Sequence, residues 1–326
     1  MAGGKADVTE IGDVPSGAKP SFKARAATHF KRWWWAYLIG FIVVVLVVVL
    51  PVVYVGYPNI AQSDIDDSTL EIKSMDISDP APDSFKLNQK QAIGSDSAFH
   101  PVIYDFDADV SLLGAAVFAT VQVPQVKSRD GAEVIVDQRV GLKDVSAFGE
   151  FAKAVMLNED IELNIYGKPN LKQGSLPKIT VTYNKTVSMK GLNKLKGFKL
   201  LNMHLDSSEN GTNSAGEVLI PNPSVMTIAL GNVTLGLSAN GTSVGESYIK
   251  NLVLKPGDNR LPMRANVNQL SIVNMMKKYG TIVPLNVTGS PTNSSIYDGQ
   301  SLPYFSQALA ANALTVQLNI TEVLGS

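Results

Sequence analysis

The sequence contains no cysteine. That absence excludes disulfides, thiol catalysis and every thiolate metal site. The fold must therefore be held by packing and backbone hydrogen bonds. Histidine is scarce too: His29, His100 and His204 are the only three. Histidine-rich metal sites and most histidine-based catalysis lose their raw material. Charged residues make up 17%, below the usual quarter, and the net charge is −1. No basic excess points to nucleic acid as a partner. There is also no Walker loop, dinucleotide fingerprint or HExxH motif. No cofactor and no metal site are expected.

What is present begins with a long apolar run. Trp33 to Tyr57 reads WWWAYLIGFIVVVLVVVLPVVYVGY, and Leu38 to Val55 holds fifteen Leu, Ile, Val or Phe residues. At mid-membrane their transfer sums to roughly −5 to −9 kcal/mol, and the length suits a bilayer of about 30 Å. Trp33, Trp34, Trp35 and Tyr37 form one interfacial belt, and Tyr54 and Tyr57 the other. Pro51 lies near one end, where a broken helix hydrogen bond is tolerated. A cleaved signal peptide has a shorter apolar stretch, so the reading is an uncleaved anchor over residues 33–57 that binds the lipid bilayer. Lys19, Lys23, Arg25, Lys31 and Arg32 crowd its N-terminal flank, and Asp64, Asp66, Asp67 and Glu71 follow it. The positive-inside bias places residues 1–32 in the cytosol, as a disordered tail. Asp64-Ile65-Asp66-Asp67 reads as a solvated linker.

An independent signal lies beyond the anchor. N-x-[ST] glycosylation sequons occur at Asn184, Asn210, Asn232, Asn240, Asn286, Asn293 and Asn319, while Asn222 fails because Pro223 follows. From 22 asparagines and 44 serines plus threonines, about three would arise at random. All seven follow the anchor. Asn184, Asn232, Asn286 and Asn319 occupy the polar phase of alternating segments, where a glycan points outward. Asn210, Asn240 and Asn293 sit in turn-rich stretches.

Period-2 alternation dominates the rest. It predicts strands over 70–77, 102–110, 117–123, 134–140, 161–166, 179–189, 199–205, 225–230, 232–239, 247–254 and 261–267. Helical spacing appears over 146–157, with Ser146 as N-cap, over 269–278 and over 302–311. Leu163-Asn164-Ile165-Tyr166-Gly167-Lys168-Pro169 matches Leu285-Asn286-Val287-Thr288-Gly289-Ser290-Pro291. Each copy follows a helix and precedes a loop and a final strand. This repeat divides the region into two tandem modules, 58–195 and 196–326.

The second module contains VLIPNPSVMTIALGNVTLGLSANGTSVGESYIKNLVLKPGDNRLPMRANVNQ. It resembles the late-embryogenesis-abundant type 2 domain, a small β-sandwich with one helix. The likeness rests on Asn222-Pro223 after a strand, the hairpin through Asn240-Gly241, Val244-Gly245, and the strand before Leu261-Pro262. Nearly everything after the anchor is covered, although the first module lacks the Asn-Pro strand start. The whole chain resembles a fungal domain-of-unknown-function family that pairs an N-terminal anchor with such lumenal modules. The resemblance implies the vacuole membrane, a type II layout and a hydrophobic groove able to hold lipid. It supplies no catalytic residue.

Motifs with chemical meaning read blandly. Gly241-Thr242-Ser243-Val244-Gly245 fits the G-x-S-x-G nucleophile elbow, but it follows a hairpin signal and no histidine lies after residue 204. Asp105, Asp107 and Asp109 alternate with Tyr104, Phe106, Ala108 and Val110, as on the solvent face of a strand. Val110 stands where a calcium loop needs glycine. Glu159 and Asp160, adjacent in sequence, are expected to point apart rather than form a hydrolytic pair. His100 and His204 read as structural.

The expected architecture is mainly β: an N-terminal transmembrane helix, then two tandem Ig/fibronectin-like sandwich modules with one or two short helices each. The expected function is a non-enzymatic lumenal binding or structural module of a single-pass type II membrane protein. The alternatives are a lipid-binding or lipid-transfer protein, with the 302–311 helix opening a groove, and a cell-surface or secretory-pathway glycoprotein with a cryptic hydrolase activity. The plasma membrane or another secretory-pathway membrane is the alternative to the vacuole. A lipid or a protein is the lumenal ligand.

Overall fold

A computed structural model describes residues 22–209 and 211–325. Most of the N-terminal tail, including Lys19, and the sequon at Asn210 lie outside the described residues. The chain divides into two units, 1–56 and 57–326.

In the first unit, α1 (Phe22–Pro51) begins ahead of the apolar run and ends at its proline. A π-helical turn, Val52–Gly56, follows directly. Pro51 has no N–H to donate and its ring crowds the preceding turn, so the regular α-helical ladder breaks here. The stretch Lys31–Asp67 is long and apolar enough to cross a membrane, with a mean hydropathy of 3.2 in its most apolar window and none of that window buried.

The second unit is mainly β. Its strands are β1 (Thr69–Ala81), β2 (Ser84–Gly94), β3 (Val102–Ile103), β4 (Phe106–Leu112), β5 (Val117–Val123), β6 (Val126–Lys127) and β7 (Ala132–Gly141). There follow β8 (Asp160–Gly167), β9 (Asn170–Lys172), β10 (Ile179–Thr180), β11 (Tyr183–Lys190), β12 (Lys199–Leu205), β13 (Ser214–Asn222) and β14 (Met226–Ala239). The last are β15 (Thr242–Leu254), β16 (Gly257–Val267), β17 (Ile282–Gly289), β18 (Ser295–Tyr297), β19 (Gln300–Ser301) and β20 (Leu314–Asn319). The helices are α2 (Tyr57–Asp67), α3 (Val145–Leu157), α4 (Gln269–Tyr279), α5 (Pro303–Ala311) and α6 (Ile320–Gly325).

Strand pairing repeats itself. In the first half β5, β4, β8 and β11 lie side by side, and β1, β2 and β7 form an antiparallel ladder. In the second half β15, β14, β17 and β20 pair in the same order, and β12, β13 and β16 repeat the ladder. The helix before β8 is α3 and the helix before β17 is α4, so the repeated heptapeptides fall on equivalent strands. Their glycines have a shared reason. A Cβ on Gly167 would stand 2.6 Å from the Phe106 ring, and one on Gly289 would stand 2.8 Å from Leu309 Cβ.

The two halves meet along β1 and β14, which pair in parallel through Met75–Ile77 and Met226–Ile228. Tyr304 on α5 is fully buried, and its hydroxyl donates to Ala81 O at 2.8 Å. Its ring meets Phe148 of α3 edge-on at 4.9 Å. Buried Asn222 closes the turn between β13 and β14, donating to Met226 O and accepting from Ser224 N. One apolar core runs through both halves.

Several sequence expectations are corrected. The N-cap of α3 is Asp144, whose carboxylate accepts from Ala147 N at 3.0 Å, not Ser146. The segment 179–189 is two strands in different sheets. The break comes at Thr182, whose backbone N–H and C=O both bond to the Gln62 amide at 2.8 Å. The acidic stretch Asp64–Asp67 is not a solvated linker. It belongs to α2, which packs Ala61 and Ile65 against Ile103, Leu171 and Val181. The C-terminal carbonyls of α2 need donors. Lys185, only 6% exposed, supplies its ammonium to Asp66 O at 2.9 Å and to Ser68 O.

Burial holds the Lys185 pKa below the ordinary 10.5, against the attraction of Asp66 and Asp67. The folded chain thus releases this proton before the unfolded chain does. Between the lowered value and 10.5 the unfolded state binds more protons, and stability rises with pH. Lys185→Met should cost about 1.5–3 kcal/mol near neutrality. In urea titrations across this range, the wild-type rise should be absent from the variant. An equal rise in both would remove Lys185 as its source.

Candidate functional site

The described sequons all reach solvent in whole or part. Asn184, Asn232, Asn240 and Asn293 are exposed, while Asn286 and Asn319 are half-buried. Asn240 and Gly241 form the two-residue turn joining β14 to β15, both with positive φ, as a type I′ hairpin requires. Four of the others have side chains already engaged, Asn319 by accepting from Thr321 N at 3.2 Å. Asn184 accepts from Asn164 Nδ2 at 2.7 Å, Asn232 from Asn251 N at 3.0 Å, and Asn286 from Thr315 Oγ1 at 3.0 Å.

The motifs considered for chemistry are dispersed. Ser243 lies on β15, just after the hairpin turn, and not at a strand-to-helix elbow. Asp109 accepts from Thr120 Oγ1 at 2.6 Å and Lys143 Nζ at 2.9 Å, and these bonds hold its carboxyl below the usual range. Glu159 and Asp160 do not simply point apart, for both reach Lys190, at 3.5 and 2.9 Å. Asp160 opposes Lys190 in the β8–β11 register, which brings that lysine to the turn carrying Glu159. His100 is exposed, and His204 Nδ1 lies 2.9 Å from Asn202 O. Among the described residues no three His, Asp or Glu side chains gather as a metal site.

A denser polar cluster gathers around Arg264 of β16. Arg264 donates to Asp206 Oδ2 at 3.1 Å and to Thr212 Oγ1 at 3.0 Å, and lies 3.1 Å from Glu209 Oε2. Bonds from Ser208 and Arg264 hold the Asp206 carboxyl down at about 2. Every charge in it has a partner, so it acts as a clamp.

Three cavities in the unit have apolar walls. One cavity, about 160 Å³, lies in the second half between β12–β16 and β17, with α4 over it. Met203, Met263, Leu235, Ile249, Ile272 and Val273 are among its walls. A second, about 80 Å³, lies between the two sheets of the first half. A third, about 60 Å³, lies between α3, α5 and the inner faces of β14 and β15.

The two equivalent helices treat the space beneath them differently. Helix α3 buries Phe148, Phe151, Ala152, Val155 and Met156. Phe148 stacks on Phe85 at 5.2 Å and contacts the rings of Phe118, Phe151 and Tyr304. Helix α4 buries no residue: Ile272, Met275 and Met276 are half-buried, and Leu270 is 77% exposed. The aromatic plug of the first half has no counterpart in the second. Helix α5, expected to open a groove, is instead packed between the halves, with Tyr304, Phe305, Ser306, Ala308 and Leu309 buried.

Sequence reasoning missed one feature that the cavities reveal. Strand β2 was not anticipated, because Gln89 and Gln91 fall on its inward phase and break the apolar alternation. The residual signal is Phe85, Leu87 and Ile93 at the same phase.

Residues 116–237 match a family described as Protein of unknown function (DUF3712). The match runs from β5 through α3, β8 and β11 into β14, and so spans the junction of the halves. None of the curated proteins matches. Among solved structures, CBD12 from CALX1.2 aligns at 9% identity over 76% of this chain and 99% of its own, with a TM-score of 0.20. The partial N-terminal region of Enterococcal surface protein aligns at 8% identity over 77% and 93%, with a TM-score of 0.17. Neither overlay is close enough to bear on the fold, which rests on the strand pairing itself.

The contrast between α3 and α4 is measurable. Phe148→Ala should cost about 3–5 kcal/mol, whereas Ile272→Ala, truncating a half-buried chain beside existing space, should cost under about 1.5 kcal/mol. Denaturant unfolding of the full chain checks both. Equal costs would mean that the second half is packed as tightly as the first.

Proposed function

We propose that the chain is a single-pass type II membrane protein of the fungal vacuole membrane, with its N-terminus cytosolic and its β-rich unit lumenal and N-glycosylated. The β-rich unit acts as a non-enzymatic binding or structural module, built as two tandem sandwiches like the late-embryogenesis-abundant type 2 domain. The observation carrying this reading is the unburied apolar helix ahead of a β-rich unit in which every described sequon reaches solvent. Binding is favoured over chemistry because the cavities are walled almost wholly by aliphatic and aromatic side chains.

Treatment with a peptide N-glycosidase should lower the apparent mass in steps, and Asn240→Gln and Asn293→Gln should each remove one step. No shift, together with a C-terminal tag open to protease from the cytosol, would overturn the orientation.

A second reading, lipid binding, is favoured by the cavity of about 160 Å³ beneath a helix that buries none of its residues. An engineered cavity of similar size takes up benzene, and lifting α4 would enlarge this one to admit an acyl chain. Ile272→Trp fills the space. Lipid extracted with the purified full chain should fall at least about tenfold in that variant, a loss of 1.4 kcal/mol or more in affinity. Equal lipid in both would count against the α4 cavity.

A further inference from the structure

The first half holds a cavity with a polar feature that its surroundings do not explain. Its inner faces are apolar apart from Gln89, Gln91 and the half-buried Tyr183. Gln89 is 8% exposed and Gln91 5%. They lie two residues apart on the inward face of β2, flanked in register by Met75 and Val136 and by Ile72 and Val134. Among the described residues the one hydrogen bond of their side chains runs between them, Gln89 Nε2 donating to Gln91 Oε1 at 3.3 Å.

A glutamine amide offers two donor hydrogens and an acceptor oxygen. One mutual bond leaves a carbonyl oxygen on one amide and an NH2 on the other without a partner, whichever way the amides are turned. Burying such groups unsatisfied costs about 1–3 kcal/mol each. Neither is walled in by protein atoms. Among the described residues the one fully enclosed side-chain atom lacking a partner is Gln173 Oε1, elsewhere in the unit. The free amide groups thus keep accessible surface, on two side chains that line the cavity. Tyr183 lines the cavity from β11 in the facing sheet; among the described residues its hydroxyl has no hydrogen bond, and its ring is fixed against Phe106 at 5.5 Å. Burial pushes that phenol well above its ordinary 10, so it stays neutral.

We infer that this cavity is a binding site for an uncharged group that both donates and accepts a hydrogen bond, carried on a short apolar stem: an alcohol. The free donor and the free acceptor match the two capacities of one hydroxyl. A charged headgroup is disfavoured, because no Asp, Glu, Lys, Arg or His lines the space and a bare charge there would be left unpaired. The volume, about 80 Å³, is roughly half that of a cavity that takes up benzene, so only the hydroxyl end and a few carbons enter. The hydroxyl can come from a small free alcohol or from the end of a single-chain lipid alcohol. This site is separate from the α4 cavity and does not depend on the lipid reading above.

Thermal unfolding of the full chain in one fixed detergent tests it, with 1-butanol and 1-hexadecanol as probes and n-pentane and n-hexadecane as controls. Binding to the folded state raises Tm. At saturation, wild type should gain about 2 °C or more over the matching alkane. The double variant Gln89→Leu with Gln91→Leu should lose that gain. Gln91→Met, which keeps the side chain's length, should lose most of it and guards against misfolding of the double variant. A gain with 1-butanol alone assigns the site to small alcohols, and a gain with 1-hexadecanol alone to the lipid. No gain with either, leaving water only in the cavity, would overturn the proposal. So would an equal gain in a folded variant.

Discussion

A glycine in the middle of β14 lets one strand serve two neighbourhoods. Gly231 has a φ of +72°, and a Cβ there would stand 2.3 Å from Ile296 O. No other residue fits that backbone without strain. Before it, Met226–Ile228 pair in parallel with β1 of the first half. After it, Asn232 and Val233 pair with β18, and Leu235–Ser238 with β17. The register with β15 shifts on both sides of Gly231. The β-rich unit thus holds together through a local irregularity in a long strand. Regular pairing along the whole of β14 would keep it beside one set of partners.

Duplication of the pairing order gives the unit two similar frames, and side chains then differentiate them. In the first, α3 drives Phe148 and Phe151 into an aromatic cluster that Tyr304 closes from the second half. In the second, α4 presents Ile272, Met275 and Met276 without burying any of them. Methionine and aliphatic side chains around open space adapt to an occupant more readily than interlocked rings do. The same scaffold can therefore supply rigidity in one half and accommodation in the other.

Much of the strand content was legible because inward apolar residues alternate cleanly. The segments 117–123 and 199–205 match β5 and β12, and the heptapeptide repeat fell on equivalent strands. The losses have specific causes. Strand β2 carries two inward glutamines, so its pattern looked polar. Strand β13 opens with Ser214, Ala215 and Gly216, small residues that give no period. The break at Thr182 comes from Gln62, far away in sequence, occupying its backbone groups. The helix after the apolar run looked like linker because its acidic residues hid Ala61 and Ile65. Nothing local announced the cavities, since a void depends on how two helices of similar pattern differ in bulk.

Helix α3 plugs its half, while α4 covers its half loosely. Hydrogen–deuterium exchange of the full chain reads this directly, because amides in weakly packed elements open far more often than those in the core. Amides of 269–279 should exchange at least about a hundredfold faster than those of 148–157, as expected for opening free energies that differ by about 3 kcal/mol. Protection of α4 equal to that of α3 would contradict the account.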